Sequence, residues 1–336
     1  MTGRKDQIAR FLEAAGWDPA LRRPLAGDAS FRRYDRLTRE GGRVVLMDAP
    51  PPQEDVRPFL HIARLLAKLG LSAPALLAED IEAGLLLLED FGDSTYTRLL
   101  NEGAPSEETL YALAIDLLID LHRKFDPKGS AVPPYDDERL LIEASLLVDW
   151  YYPAIEGRPL PPDLREEYLA LWRALLPIAR QMPATLVLRD YHVDNLMLLG
   201  DRTGVAACGL LDFQDAVIGP STYDLVSLLE DARRDVPPRL ASAMIERYLA
   251  AFPALDPQAF AASYAVMGAQ RNAKIVGIFT RLCRRDGKPH YLRHIPRVWR
   301  LLEQDLQHPA LTSIRAWIDR HLPPERRLVP AERAEA

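Results

Sequence analysis

The sequence predicts an α+β protein with two lobes, a small N-terminal lobe built on a β-sheet and a larger, mainly helical C-terminal lobe. Two observations predict it: strand-like runs cluster in roughly the first 90 residues, and helical periodicity dominates the remainder. The 336 residues, of which 48% are hydrophobic and 27% charged, suffice for two packed lobes. We place the lobes at residues 1–91 and 92–322 and expect a disordered tail over residues 323–336.

The N-terminal lobe is predicted to start with a short amphipathic helix that ends at Gly16. A β-hairpin follows, with strands over residues 31–37 and 43–47 and a glycine turn between them. The small-residue segment 27–30 precedes the hairpin and is a candidate loop for covering phosphates. The remaining predicted elements of this lobe are a helix over residues 55–70 and strands at residues 76–77 and 84–89.

The C-terminal lobe is predicted to be mostly helical, with proline-rich segments between its helices. Two short strands at residues 195–199 and 205–211 interrupt it, and the glycine-bounded turn 200–204 joins them into a hairpin. The predicted helices cover residues 107–125, 137–151 and 164–182, and most of the chain from there to Leu322.

Composition excludes several classes of function. The net charge of -6 and the pI near 5.7 argue against a broad surface for nucleic acid. The two cysteines, Cys208 and Cys283, lack the paired spacing of a zinc site or a disulfide framework, which favours a reducing compartment. The sequence shows neither a secretory signal nor a run of about 20 apolar residues. We therefore expect a cytoplasmic protein without a membrane segment or an obligate protein partner.

The most informative segment is Leu-Arg-Asp-Tyr-His-Val-Asp-Asn at residues 188–195, followed across the predicted hairpin by Asp212 in Leu-Asp-Phe-Gln. Asp190 precedes Asn195 by five positions, which is the spacing of a kinase catalytic loop, and a second aspartate then follows a strand pair. An isolated Asp-x4-Asn is also typical of a loop with capping side chains. The apolar run before Asp190 and the two-stranded return favour the kinase interpretation.

The chemistry of phosphoryl transfer requires these residue types. Asp190 can hold an attacking hydroxyl in line and accept its proton. Magnesium prefers oxygen ligands, so the Asn195 carbonyl and the Asp212 carboxylate suit a Mg²⁺ ion that carries the phosphates of ATP. We therefore predict Asp190 as the catalytic residue, Asn195 and Asp212 as metal ligands, and ATP and Mg²⁺ as cofactors.

The run from Leu188 to Leu225, which closes with Gly-Pro-Ser-Thr-Tyr-Asp-Leu, resembles the catalytic core of the aminoglycoside phosphotransferase and choline kinase family. The resemblance implies a bilobal, protein-kinase-like fold in which Asp224 supports the catalytic loop, although a simple charge at a helix N-terminus explains Asp224 equally well. His122 matches a leucine-histidine helix of the family and is expected to be structural. Only twelve positions separate Asp212 from Asp224, which leaves no room for a peptide-binding activation segment and favours a small-molecule acceptor.

Four further segments, 27–34, 46–51, 87–92 and 270–279, resemble the bacterial anomeric N-acetylmuramate/N-acetylglucosamine kinases of cell-wall recycling. The resemblance implies transfer of the γ-phosphate of ATP to the anomeric hydroxyl of the amino sugar. Two alternatives stay open. One is an aminoglycoside, choline-like or other sugar kinase of the same superfamily, and the other is a non-catalytic nucleotide-binding pseudokinase module.

The sequence departs from the kinase pattern at Met47, where a lysine that pairs with nucleotide phosphates normally ends the strand. Either nearby arginines replace this lysine, since guanidinium suits phosphate oxygens, or the chain binds nucleotide without turnover. The retention of all three residues of the catalytic constellation favours the first explanation. The resemblance also implies a hinge at residues 89–91 that binds adenine. The predicted nucleotide-binding residues are Ser30, Arg32, Arg33, Arg43, Glu89 and Phe91.

The acceptor pocket is expected beside Asp190, walled by the helical lobe. Sugar recognition commonly uses amide, charged and aromatic side chains, and polar groups within otherwise apolar helices are candidates for it. The predicted substrate-binding residues are Glu143, Trp150, His192, Arg271, Asn272 and Lys274.

Overall fold

The computed structural model describes residues 3–27 and 31–332. The chain forms two compact units. The first contains Met1–Leu117 and Val193–Asp215, and the second contains Leu118–His192 and Ala216–Ala336. The first unit thus combines the region predicted as the N-terminal lobe, 1–91, with a later segment that carries Asn195 and Asp212. Among the described residues, no helix is both long and apolar enough to span a bilayer.

A five-stranded antiparallel sheet organises the first unit, with strand order β1-β2-β3-β5-β4. The helix α1, Arg4–Ala14, packs on it through Ile8 and Leu12, which join a core with Trp17. The strands are β1 (Arg22–Gly27), β2 (Arg33–Arg39), β3 (Gly42–Asp48), β4 (Leu76–Asp80) and β5 (Leu85–Glu89).

The predicted hairpin is confirmed as β2 and β3, which pair from Arg33 opposite Asp48 to Arg39 opposite Gly42. Gly41 in its turn has a φ of +84°, a conformation that glycine adopts at little cost. The edge strand β1 was not predicted from the sequence. Its segment, Arg-Arg-Pro-Leu-Ala-Gly, contains charged residues and a proline and lacks alternating apolar residues.

The predicted amphipathic helix after the hairpin is confirmed as α2, Arg57–Lys68. It buries an apolar face that includes Phe59, whose ring stacks on Phe213 with 4.9 Å between the centroids. A further short helix, α3 (Tyr96–Glu102), begins at Thr95, whose hydroxyl accepts a hydrogen bond from the Arg98 amide. This cap was not identified from the sequence.

The strand pair predicted to follow residues 188–195 is also confirmed. Strands β7 (Leu196–Leu198) and β8 (Cys208–Leu210) pair antiparallel within the first unit. The loop after β5 packs on this pair, and Gly209 makes that packing possible because a Cβ there would lie 2.9 Å from the Phe91 ring.

The second unit is built around one long helix, α10, Pro257–Arg284, whose 28 residues extend about 42 Å. Gly268 lets α10 approach Asp305, since a Cβ there would lie 2.6 Å from a carboxylate oxygen, and a Cβ at Gly277 would overlap the backbone of Leu146. The other helices after the first unit's sheet and α3 are α4 (Glu107–Lys124), α5 (Asp137–Leu146), α6 (Tyr152–Glu156), α7 (Pro162–Ala179), α8 (Tyr223–Leu229), α9 (Pro238–Ala251), α11 (Ile295–Asp305) and α12 (Thr312–His321).

A two-stranded sheet in the second unit leads into the segment that carries Asp190. Strand β6, Ala184–Val187, pairs antiparallel with β9, Val217–Pro220, and runs directly into Leu188. The sequence analysis recognised the apolar run before Asp190 but did not predict its partner strand, because four residues that include glycine and proline give almost no strand signal.

Two segments of the second unit differ in detail from their predicted form. The helix predicted over 137–151 ends as regular α-helix at Leu146 and continues as a π-helical turn, Leu147–Tyr151. Disorder was expected over 323–336, yet Arg327 donates to Glu303, and the Tyr151 hydroxyl donates to the Leu328 carbonyl at 2.7 Å. Residues 333–336 lie outside the described residues.

Candidate active site

The segment around Asp190 is fixed by backbone hydrogen bonds to a buried carboxylate. Asp224, in the first turn of α8, accepts hydrogen bonds from the amides of Leu188 at 2.6 Å and Arg189 at 2.9 Å. Burial raises the pKa of Asp224 to about 7, although these backbone donors favour its charged form. The side chain that follows the Gly-Pro motif thus binds the two residues that precede Asp190.

Asp190 lies partly exposed among positive charges. Burial alone would raise its pKa, but the charges of Lys274, Arg189 and other basic side chains outweigh burial, and the pKa of Asp190 is lowered. His192 contributes little positive charge at neutral pH, because its own burial lowers the pKa of the imidazole. Asp190 is therefore a carboxylate at neutral pH and can accept a hydrogen bond from a hydroxyl.

The predicted residues Glu143 and Lys274 belong to one buried ion-pair network. Glu143 accepts hydrogen bonds from the Tyr135 hydroxyl and from the Arg189 guanidinium, and lies 3.1 Å from the Lys274 ammonium. These groups lower the pKa of Glu143 although burial opposes them. Arg189 also has a φ of +70°, which is uncommon for a residue other than glycine. The network therefore holds an unusual backbone conformation next to Asp190.

Arg271 supports the same loop through Ser227. Its guanidinium donates to the Ser227 hydroxyl at 2.9 Å, and that hydroxyl donates to the Arg189 carbonyl at 3.1 Å. Arg271 is also 4% exposed. The structure thus places Arg271 behind the loop, where its charge also lowers the pKa of Asp190.

Asn272 lies in a separate buried cluster. Its amide donates to Glu230 at 2.8 Å and to Asp305 at 2.9 Å, and its side chain is fully buried. Burial raises the pKa of Glu230 to about 7 and that of Asp305 well above its ordinary value, because two carboxylates share this site with little solvent. The position of Asn272 is that of a core residue that satisfies two acids.

This acidic pair predicts that the protein loses stability as the pH rises. The pKa of Glu230 is about 7 in the folded state, above its ordinary 4.5. Its contribution to the free energy of unfolding is therefore fully present below pH 4.5 and is lost as the pH rises through 7. The shift corresponds to a loss on the order of 3 kcal/mol. We expect the melting temperature to decrease as the pH is raised from 5.5 to 8. The variant E230Q should show a smaller decrease and a higher melting temperature at pH 8.

The matched control is D235N. Asp235 is an exposed carboxylate whose pKa is lowered by its hydrogen bond to Arg297, so it titrates below 3.8 and adds no slope above pH 5.5. The pKa of Asp224 is raised like that of Glu230, so the melting temperature of E230Q should still decrease somewhat with rising pH. An unchanged slope in E230Q would contradict the assignment.

Trp150 and His122 complete the predicted residues of the second unit. Trp150 lies half-buried on the π-helical turn and makes no ring contact with any residue that the structure describes. The His122 Nδ1 lies 2.8 Å from the Tyr248 hydroxyl. Burial lowers the pKa of His122 to about 3. A neutral histidine enclosed in this way suits the structural role implied for it.

The first unit carries the two predicted metal ligands at one end of the β7–β8 pair. Asn195 precedes β7, and its carbonyl accepts a hydrogen bond from the Leu211 amide at 3.0 Å, immediately before Asp212. Asp212 has a φ of +57°, and its Oδ1 accepts a hydrogen bond from the Gln214 amide at 2.8 Å. Aspartate tolerates this left-handed conformation better than most residues. The hairpin thus returns Asp212 to Asn195.

The donor set fits magnesium. One amide oxygen and one carboxylate agree with the way Mg²⁺ binds in nucleotide enzymes, where phosphate oxygens and water supply the other ligands. Within residues 3–27 and 31–332 there is no cluster of three or more histidine, cysteine or acidic residues that could enclose a metal by itself. A metal on these two residues would therefore depend on the nucleotide for further ligands.

The predicted hinge residues lie at the end of β5 and beyond it. Glu89 accepts hydrogen bonds from the Arg202 guanidinium and, at 3.1 Å, from the Ala75 amide. The Arg202 guanidinium also lies 5.2 Å from the centroid of the Phe91 ring. A cavity of about 390 Å³ opens here, and Glu89, Phe91 and Arg43 are among its lining residues.

The predicted arginines differ in their surroundings. The Arg43 side chain is about half exposed and lies 3.7 Å from Asp90, and Arg33 is exposed. Arg32 is mostly buried and pairs with Glu54, a residue that sequence analysis missed. Glu54 follows a proline run and belongs to no regular element, so no periodicity identified it. Ser30 lies outside the described residues.

The fold and the catalytic segment together define a phosphotransferase. Residues 22–258 match the phosphotransferase enzyme family, and the chain belongs to that family. The chain is 39% identical to a protein of Caulobacter vibrioides named N-acetylmuramate/N-acetylglucosamine kinase, with 95% of this chain and 97% of the other covered. It is 42% identical to a protein of that name from Pseudomonas aeruginosa, with 91% of each chain covered.

Solved structures show the same fold. Choline kinase LicA from Streptococcus pneumoniae matches with a TM-score of 0.57 and 12% identity, over 92% of this chain and 97% of the other. The GDP complex of aminoglycoside 2'-phosphotransferase-IIIa matches with a TM-score of 0.60 and 15% identity, over 90% of this chain and 98% of the other. The predicted protein-kinase-like fold is thereby confirmed.

Proposed function

We propose that this protein is an ATP-dependent kinase that phosphorylates the anomeric hydroxyl of N-acetylmuramate and N-acetylglucosamine. The observation that carries the proposal is the agreement of four relatives, 38–42% identical over 81–95% of this chain, which all bear the name of that kinase. The choice of the anomeric hydroxyl rests on the sequence resemblance described above.

Asp190 acts on the sugar hydroxyl in this proposal. Its low pKa keeps it ionised, so it holds the hydroxyl by a hydrogen bond and accepts the proton only as the bond to phosphorus forms. Asp224 and the Glu143 network fix the backbone before Asp190, which limits the misalignment of the attacking oxygen.

Asn195 and Asp212 are the residues that would hold magnesium. When bound with ATP, the ion neutralises charge on the phosphates. The side chains themselves supply two oxygen donors whose positions are set by the β7–β8 pair and by the hydrogen bond from Gln214 to Asp212. We assign adenine to the cavity beside Glu89 and Phe91.

For the sugar we propose a cavity of about 360 Å³ in the second unit. Glu143 and Arg189 line it, and both belong to the network beside Asp190. Arg139 and Ile142 line it as well. Arg139 is half-buried, and its side chain makes no hydrogen bond or ion pair with any residue that the structure describes. A guanidinium in this setting suits a carboxylate.

The two sugars differ in such a carboxylate, because N-acetylmuramate carries a lactyl ether that N-acetylglucosamine lacks. We expect R139M to raise KM for N-acetylmuramate roughly 10–100-fold, as for the loss of one charge-assisted hydrogen bond. KM for N-acetylglucosamine should stay within about twofold, because that sugar offers no carboxylate to Arg139. Steady-state kinetics with both sugars measures the difference.

The control for this prediction is R173M, which removes an exposed arginine that pairs with Glu166 on α7. It should leave both KM values unchanged. An equal rise for both sugars in R139M would contradict recognition of the lactyl carboxylate, and no rise for either would remove Arg139 from the site.

The proposed function is tested by incubating the protein with ATP and Mg²⁺ and with separate panels of N-acetylated sugars, aminoglycosides and choline-like amines. Mass spectrometry should detect a new phosphate ester only with the N-acetylated sugars, and ³¹P NMR should place the phosphate on C1. Phosphorylation of an aminoglycoside or an amine would replace the proposed substrate. ATP binding without any phosphorylated acceptor would identify a non-catalytic module.

A further inference from the structure

In protein kinases a lysine-glutamate ion pair positions the ATP phosphates. Neither partner is present at the corresponding places on β3 and α2 in the part of the first unit that the structure describes. Met47, at the end of β3, takes the place of the lysine and is 1% exposed. The buried face of α2, which would supply the glutamate, consists of apolar residues: Phe59, Leu60, Ile62, Ala63 and Leu66. Apolar residues therefore stand at the positions where the ion pair would be expected.

A different acid and base meet nearby. Arg32 lies just before β2, and its Nε donates to Oε2 of Glu54 at 3.0 Å. The other oxygen of Glu54, Oε1, accepts a hydrogen bond from the Phe31 amide at 3.1 Å. Glu54 lies in the segment between β3 and α2. It binds both the Phe31 backbone and the Arg32 side chain, just before β2. It thereby restricts the direction in which the Arg32 guanidinium points.

The other side of this guanidinium faces the predicted metal ligand. Arg32 Nη1 lies 4.0 Å from Asp212 Oδ1, and the Arg32 side chain is 13% exposed. Asp212 is itself fixed by Gln214 and by its place after β8. Among the three predicted arginines, Arg32 pairs with a mostly buried carboxylate, Glu54, and also approaches Asp212.

We propose that Arg32 and Glu54 replace the lysine-glutamate pair, with Arg32 binding the nucleotide phosphates and Glu54 acting as its positioning residue. The assignment rests on the proposed function for the presence of ATP and goes beyond it in naming the pair. A guanidinium presents several N–H donors in a planar fork, and this fork binds phosphate oxygens through two parallel hydrogen bonds. This explains how the chain retains a phosphate-binding cation without a lysine at position 47.

The test measures binding of ATP by isothermal titration calorimetry, with and without Mg²⁺ and without sugar. R32M should raise Kd for ATP roughly 10–100-fold under both conditions, as expected for the loss of hydrogen bonds to a charged group. R32K keeps the charge but loses the fork of donors and should raise Kd less. E54Q should raise KM for ATP several-fold while leaving KM for the sugar unchanged.

A double-variant cycle separates positioning from direct contact. If Glu54 acts through Arg32, adding E54Q to R32M should raise Kd no further than R32M alone. The matched control is R57M, which removes an exposed arginine three residues from Glu54 that pairs with Asp55 and Glu82. It should leave Kd unchanged, and thermal unfolding checks that each variant is folded.

Three results would overturn the proposal. The first is a Kd for R32M within twofold of that of the unmodified protein, with R32K measured in its place if R32M does not fold. The second is a loss of affinity in R57M equal to that in R32M. The third is additive losses in the double variant. Because the readout is nucleotide binding, it does not depend on which sugar is phosphorylated. Failure of the substrate assignment and failure of this pair are therefore distinguishable.

Discussion

Replacing Asp190 with asparagine is expected to lower kcat by about 10²–10⁴-fold while leaving Kd for ATP nearly unchanged. Asparagine preserves the volume of the side chain but cannot accept the proton of the attacking hydroxyl. It also removes the negative charge that the surrounding cations stabilise. Single-turnover kinetics with N-acetylglucosamine, together with calorimetric titration of ATP, measures the two quantities separately.

The control for D190N is D235N, because Asp235 is an exposed carboxylate of the same unit that pairs with Arg297 and Arg300. Its kcat should match that of the unmodified protein. A kcat for D190N within a few-fold of the unmodified protein would remove Asp190 from the chemistry. A large loss of ATP affinity would instead indicate that Asp190 acts mainly in binding.

The second large effect is expected for D212N, which should lower kcat roughly 10²–10³-fold and shift the Mg²⁺ dependence to higher concentration. The estimate corresponds to losing several kcal/mol of charge stabilisation in the transition state. Asparagine is the appropriate replacement because it tolerates the left-handed backbone of Asp212. Any loss therefore reports on the carboxylate charge and not on a strained turn.

The matched control is D215N, an exposed aspartate three residues further along in the same unit. It should leave both kcat and the Mg²⁺ dependence unchanged. Titrating ATP binding at several Mg²⁺ concentrations gives a readout that does not depend on turnover. If D212N showed the Mg²⁺ dependence of the unmodified protein, Asp212 would not be a metal ligand.

Local sequence signals were sufficient for one helix and one hairpin of the first unit. Helix α2 was predicted because its apolar residues follow a period of 3.6. The hairpin of β2 and β3 was predicted because a glycine turn separates two strand-like runs. Strands β1 and β9 were missed because an edge strand with arginines, and a strand that ends in glycine and proline, depend on a partner that local sequence does not reveal. Tertiary pairing determines such strands.

Residue type and spacing were enough to nominate Asp190, Asn195 and Asp212, because phosphoryl transfer needs those side chains in a recognisable order. Spacing could not find Glu54, which contacts Arg32 across 22 positions of chain. Spacing also could not separate Arg271, which contacts the predicted catalytic loop through Ser227, from Asn272, which donates hydrogen bonds to two buried acids. Neighbouring residues of one helix face different partners, and that difference emerges only in the folded chain.

Two glycines of helix α10, Gly268 and Gly277, allow the close packing that fixes its position. Gly268 and Gly277 contact Asp305 and Leu146 so closely that neither position has space for even a methyl group. Arg271 and Lys274 lie between these two glycines, so sliding or rotating the helix would break both close contacts at once. The two glycines thus fix the register of the helix. The positions of the Arg271 and Lys274 charges near Asp190 therefore depend on two residues that have no side-chain functional group.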